Sequence, residues 1–190
     1  MAESVVIADD WDVLVDALAR EGVRYLTGGA NWEDLGDSPL PSPSVEHWDP
    51  ESLLRGLAAS RHARLRDAII ALLLLHPEYS GNAQMLLANG DLAASSHVVL
   101  QSRLIAAACL QRLWWFTLRI YLPDQPLISA DVVTGAGLPS PDLEYGRPCL
   151  TALAERLEAA GTFPYNYHAE FARVVDLLLA DLIAEANHAA

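Results

Sequence analysis

The stretch from His97 to Leu122 reads HVVLQSRLIAAACLQRLWWFTLRIYL and is apolar almost all the way round a helix. Only Gln101, Arg103, Gln111, Arg112 and Arg119 interrupt it. A helix that is hydrophobic on every side is either the buried centre of a globular protein or a membrane span. Three arginines inside the run argue against a span, because each is costly near mid-bilayer. The stretch therefore predicts a long buried central helix over about residues 94–121, with Leu104, Ala108 and Leu118 in the core. It speaks to architecture and carries no chemistry.

Helical periodicity continues on both sides. Trp11, Leu14, Val15 and Leu18 share one face of a short helix over 9–21, with Asp9 and Asp10 at its start and Gly22 at its end. Residues 26–50 are rich in Gly and Pro and read as a connecting arm. Asp49 and Pro50 open a helix to about Ala59 as N-cap and first helical residue. A second helix runs from about His62 to Leu75 and stops before Pro77; a shorter one, from about Asn82 to Leu87, closes at Asn89-Gly90. Residues 123–148 hold five prolines and three glycines, leaving room for one helical turn near 130–133. Amphipathic helices follow over 147–160, stopped by Gly161, and over about 167–186. Convincing two-residue alternation is absent. The reading is all-α: a single irregular helical bundle over 1–190 around a long buried central helix, with 1–48 a less regular helix plus arm.

At 190 residues, the chain suffices for one well-buried domain. Net charge is −13, which disfavours nucleic-acid binding through a broad basic face and suits a basic protein partner. All twelve basic residues are arginine, so Schiff-base, P-loop and protein-kinase lysine chemistry is excluded. The N-terminus shows no basic region followed by an apolar run, so the expectation is a cytoplasmic protein without membrane attachment. Cys109 and Cys149 match no metal or redox spacing, and Cys109 reads as a small core residue.

No chemical constellation is complete. His76-Pro77-Glu78 with Pro148-Cys149 resembles part of a zinc-deaminase signature, but Ala152 stands where the second cysteine belongs. At the end of its helix, His76 is placed to meet terminal carbonyls. An Arg-x4-6-His nuclease pattern is missing, because Arg66 lies ten residues from His76. Gly28-Gly29 lacks the strand and lysine of a phosphate loop. Glu33, Asp34, Asp37 and Glu46-His47 have no matching ligands at diagnostic spacing. No catalytic residue, metal site or cofactor is therefore expected.

Candidate binding residues remain. Arg61, His62, Arg64 and Arg66 form the basic cluster of the chain, with Arg61 and Arg64 on one helix face. They read as a solvated helix start or as a docking point for an acidic group. Tyr165, Tyr167 and His168 precede or open the last helix and read as core-closing residues or interface aromatics. Arg103, Arg112 and Arg119 are the candidate anion clamps if a pocket lies between the central helix and the Pro-rich loops.

The stretches RHARLRDAIIALLLLHPEY (61–79), LQRLWWFTLRIYL (110–122) and LPSPDLEYGRPCLTALAERL (138–157) resemble an uncharacterised family of bacterial all-helical proteins encoded beside nucleotidyltransferase-like genes. The resemblance spans about residues 48–180. It implies an all-helical fold and a two-gene module of the toxin–antitoxin kind, and it carries over no catalytic residue. The leading expectation is a non-enzymatic helical module that binds a basic protein partner, as the antitoxin-like partner of a nucleotidyltransferase. The alternatives are a small-ligand binder or enzyme using that pocket, and a structural homodimer sealed along the last helix.

Overall fold

The computed structural model describes residues 11–27, 48–161 and 165–189. The arm expected over 26–50 lies mostly outside them, as do Asp9, Asp10, Gly28, Gly29, Glu33, Asp34, Asp37, Glu46 and His47. Regular structure among the described residues is helical throughout: α1 (Trp11–Arg20), α2 (Pro50–Ala59), α3 (Ala63–Leu75), α4 (Tyr79–Asn89), α5 (Ala94–Leu113), α6 (Trp115–Tyr121), α7 (Arg147–Ala160) and α8 (Tyr167–Ala189). Two short 3-10 turns, Ala130–Val133 and Leu143–Gly146, interrupt the loop between α6 and α7. No described helix is long and apolar enough to cross a membrane.

Helix ends follow the local chemistry. Gly22 adopts φ +87° after α1, and the Val23 and Gly22 amides donate to the carbonyls of Leu18 and Ala19 at 2.9 and 3.1 Å. That pairing is a Schellman motif, and Val23 packs in the core with Leu18. The Asp49 carboxylate accepts from the Ser52 amide at 3.0 Å, and Pro50 fills the first helical position of α2. Asn166 Oδ1 accepts the Ala169 amide at 2.9 Å and so caps α8, a role not read from the sequence.

The core centres on α3 and α5, which pack on each other more extensively than any other pair of elements. Seven consecutive residues of α3, Ala68–Leu74, are no more than 1% exposed, so this helix is enclosed on every side. Leu104, Ala108 and Leu118 are buried, as expected. The expected single central helix is instead two. It breaks at Trp114 (φ −103°, ψ 16°), and Leu118 is the one fully buried residue of α6. Trp114, Trp115 and Phe116 step round a helix at about 100° intervals and cannot share one buried stripe. After the break, Trp114 packs partly on the core while Phe116 is 76% exposed.

The polar interruptions of α5 have assigned jobs. Arg103 donates from Nε and Nη2 to Asp67 Oδ1 of α3 at 3.1 and 2.8 Å, inside the core. Gln111 donates to the Pro126 carbonyl and accepts the Ile128 amide, both at 2.8 Å, pinning the loop that follows α6. A buried amide that uses both its ends avoids the cost of an unpaired group. Gln125 donates to the Leu75 carbonyl, and Arg156 holds the Ala136 carbonyl at 2.5 Å. The Pro-rich loop is thus tied down along its length.

Candidate functional site

The loop from α6 to α7 meets the C-terminal end of α5 over a shallow hollow of about 180 Å³. Arg112, Trp115, Leu127, Asp142 and Tyr145 line it. Each reaches it for a local reason. Trp115 is the first residue of α6, turned outward by the break at Trp114. Leu127 follows the segment pinned by Gln111. Asp142 and Tyr145 flank or belong to the turn Leu143–Gly146, in which Glu144 (φ 43°) and Tyr145 (φ 57°) both take left-handed backbone.

Gly146 explains that turn. It has φ +82°, and a Cβ built on it would sit 2.7 Å from the Cys109 carbonyl oxygen. Only a glycine lets the chain approach α5 so closely. The two left-handed residues before it cost about 1–2 kcal/mol each. Such strain persists where surrounding structure over-determines it, and it often marks functional positions. The cost here leaves Tyr145 61% exposed at the rim of the hollow.

Beneath the turn, the structure joins the cysteines that sequence spacing left unrelated. Both are fully buried, and their thiols lie within hydrogen-bonding reach of each other. That contact, and then burial, push the Cys109 thiol well above its usual range; the same contact holds Cys149 lower. Raised and buried, Cys109 is an inert core thiol in this setting.

The arginines proposed as anion clamps divide. Arg103 is a core residue, held by Asp67 and stacked near Tyr167 and Phe171 at 5.8 and 5.7 Å. Arg112 lines the hollow between the central helix and the Pro-rich loops. Its Nε donates to Asp142 at 2.6 Å and its Nη1 to the Ala108 carbonyl at 2.9 Å, so it braces the loop. Arg119 lies exposed, 5.1 Å from the centre of the Trp115 ring. Its neighbours Phe116 and Ile120 are 76% and 72% exposed and lie one turn apart on α6.

The remaining candidates gather at the other ends of α3 and α8. Arg61 and Arg64 are both exposed, and of the two Arg64 lines a second cleft, together with Tyr25 and Arg173. His62 packs edge-on against Trp11 with ring centres 5.1 Å apart. Tyr167 closes the core against Phe171, its ring also meeting Tyr165 edge-on at 4.7 Å. Tyr165 and His168 are exposed. His76 does cap a helix end, but that of α1: Nε2 lies 3.0 Å from the Glu21 carbonyl, Nδ1 lies 3.1 Å from Glu78, and the ring stacks on Tyr79.

Among the described residues, no group of three or more His, Cys, Asp or Glu is placed to hold a metal ion. No protein-family model matches the chain, and no curated protein or solved structure matches it. The fold places the chain in the all-α class.

Proposed function

We propose that this chain is a non-enzymatic protein-binding module that docks a basic protein partner on the face made by α6 and the α6–α7 loop. The observation that carries this reading is the exposed pair Phe116 and Ile120 beside a hollow walled by Trp115, Leu127 and Tyr145. Large aromatic side chains next to a pocket are the usual anchors of an interface. Around them the face exposes Asp124, Asp131, Asp142 and Glu144 against two arginines, Arg119 and Arg147. An apolar centre with an acidic rim complements a partner with basic charge, and the net charge of −13 strengthens long-range attraction. The family resemblance makes a nucleotidyltransferase-like product of a neighbouring gene the first partner to test, in an antitoxin-like arrangement.

A small-ligand reading of the same hollow finds less support, because Arg112 is already committed to Asp142 and the Ala108 carbonyl. The test is co-expression with the neighbouring gene product, followed by binding kinetics for wild type and a Phe116→Asp/Ile120→Asp variant. The variant is expected to lose at least about tenfold in affinity, as expected for loss of interface anchors. Association of the wild type is expected to slow as salt rises, with little change in dissociation. Unchanged affinity in the variant would remove this face from the interface. Salt-independent association would remove the electrostatic part.

A further inference from the structure

Cys109 and Cys149 are the two cysteines of the chain, and the docking face makes no use of either. They belong to different helices, α5 and α7, and both side chains are buried. One close approach brings them together. Gly146, immediately before α7, lies so near α5 that an added Cβ would sit 2.7 Å from the Cys109 carbonyl oxygen and 2.9 Å from its Cα. Cys149 follows in the first turn of α7, with its thiol in reach of the Cys109 thiol. A disulfide needs two backbones close together and side chains that converge. The Gly146 contact supplies the first and the meeting of the thiols supplies the second.

The two sulfurs are chemically unequal. Cys149 stands at the start of a helix whose first turn has no side-chain cap, with the Arg112 guanidinium nearby. A helix N-terminus and a neighbouring cation both favour a thiolate. Contact with Cys109 first, and Arg112 after it, hold the Cys149 thiol below its usual range against the opposing effect of burial. Cys109 keeps its proton. One sulfur that ionises beside one that does not is the arrangement of a nucleophile and its resolving partner.

The chain leading into Cys149 lies at the surface. Leu143, Glu144, Tyr145 and Arg147 are all exposed, and Glu144 and Tyr145 hold left-handed backbone. Local opening of such a segment costs less than global unfolding, and it admits a small oxidant to the first turn of α7.

We propose that Cys109 and Cys149 are a reversible redox pair, which a peroxide converts to a disulfide that fastens α7 to α5. The Cys149 thiolate attacks one oxygen of hydrogen peroxide. The O–O bond breaks, a sulfenic acid forms on Cys149, and the other oxygen leaves as hydroxide and becomes water on protonation. The Cys109 sulfur then attacks the Cys149 sulfur. The S–S bond forms, the S–O bond breaks, and the departing hydroxide leaves as water with the Cys109 proton. Two thiols give up two electrons and two protons, and the peroxide takes up both. A dithiol reductant reverses the cross-link by exchange. The pair stands apart from the docking reading and survives its failure.

The experiment is treatment of the whole folded protein with hydrogen peroxide, followed by trapping of remaining thiols with N-ethylmaleimide in denaturant. Intact mass and peptide mapping without reductant read the result. The expected product is a monomer lighter by two hydrogen atoms, carrying no maleimide, with the Cys109 and Cys149 peptides linked. Dithiothreitol is expected to restore both thiols to maleimide. Two variants separate the roles of the sulfurs. In Cys109→Ala, the sulfenic acid on Cys149 is expected to persist and to be trapped by dimedone. In Cys149→Ala, Cys109 is expected to stay unoxidised over the same time. A cross-link that fits the native geometry restricts only the unfolded chain, so the oxidised protein is expected to melt above the reduced one. Cysteines that both still take maleimide after peroxide overturn the proposal. So does oxidation of Cys149 to a sulfinic acid without a cross-link, linkage between two chains, or a disulfide that forms only in denaturant. Oxidation of Cys109 in Cys149→Ala as fast as in wild type, or an oxidised form that melts below the reduced one, overturns it equally.

Discussion

Arg103 and Asp67 meet inside the core, both Nε and Nη2 of the guanidinium donating to one carboxylate oxygen at 3.1 and 2.8 Å. The pair bridges α5 and α3, the two helices at the centre of the fold. Removing water from two charges costs several kcal/mol, which a well-made pair offsets and a broken one does not. Asp67→Ala is therefore expected to destabilise by about 3–5 kcal/mol, because it strands a buried guanidinium. The double replacement Asp67→Leu/Arg103→Met is expected to lie within about 1 kcal/mol of wild type, or to be more stable. Urea unfolding of the single and double variants checks this. A double variant as unstable as the single one would show that the pair does more than satisfy its own charges.

Gly146 sits where a Cβ would collide with the backbone of Cys109. Gly146→Ala is expected to cost more than the left-handed penalty of about 1–2 kcal/mol, since the overlap is with backbone that cannot move aside. The α6–α7 loop should loosen first, so amide exchange at Tyr145 and Gly146 should accelerate more than at Leu72 in α3. Equal acceleration at both places would contradict the local reading of that contact.

Alkaline stability follows from Tyr79. Burial first, and then its 3.0 Å hydrogen bond to Glu21, push its phenol up from 10.0 to about 12 in the folded protein. Between those values the unfolded chain releases a proton that the folded chain keeps, so stability present below pH 10 falls as pH rises toward 12. Tyr79→Phe is expected to make that decline shallower, measured by urea unfolding between pH 9 and pH 11 (roughly the range in which free tyrosine titrates). A decline of unchanged slope in the variant would assign the effect to other groups.

Much of the fold is legible in the sequence. Helix ends written by local chemistry, such as Asp49-Pro50 and Asn89-Gly90, fall at or next to the observed boundaries because their signals act within one turn. The break at Trp114 was not legible. An apolar stretch with no polar face has no phase from which a turn can be read. The site was less legible still. Arg103 and Arg112 were visible as odd residues in a buried helix, but their partners Asp67 and Asp142 lie 36 and 30 residues away. Tyr25 carries no sequence signal at all. Its place beside Arg64 depends on Asp181, 156 residues further on, holding its backbone. Spacing likewise hid the meeting of Cys109 and Cys149, which depends on how α7 packs against α5.

The central claim is that the α6 face docks a protein of another kind. Its most direct test is site-specific photo-crosslinking in the native host, with the crosslinker at Phe116 in one sample and at Met85 in another. Both positions are exposed, at 76% and 53%, but Met85 lies on α4, which is not part of the docking face. The expected result is one discrete crosslinked product from position 116, containing a single basic protein other than this chain, and no such product from position 85. No product at 116, the same products at both positions, or a product made of two copies of this chain would contradict the account.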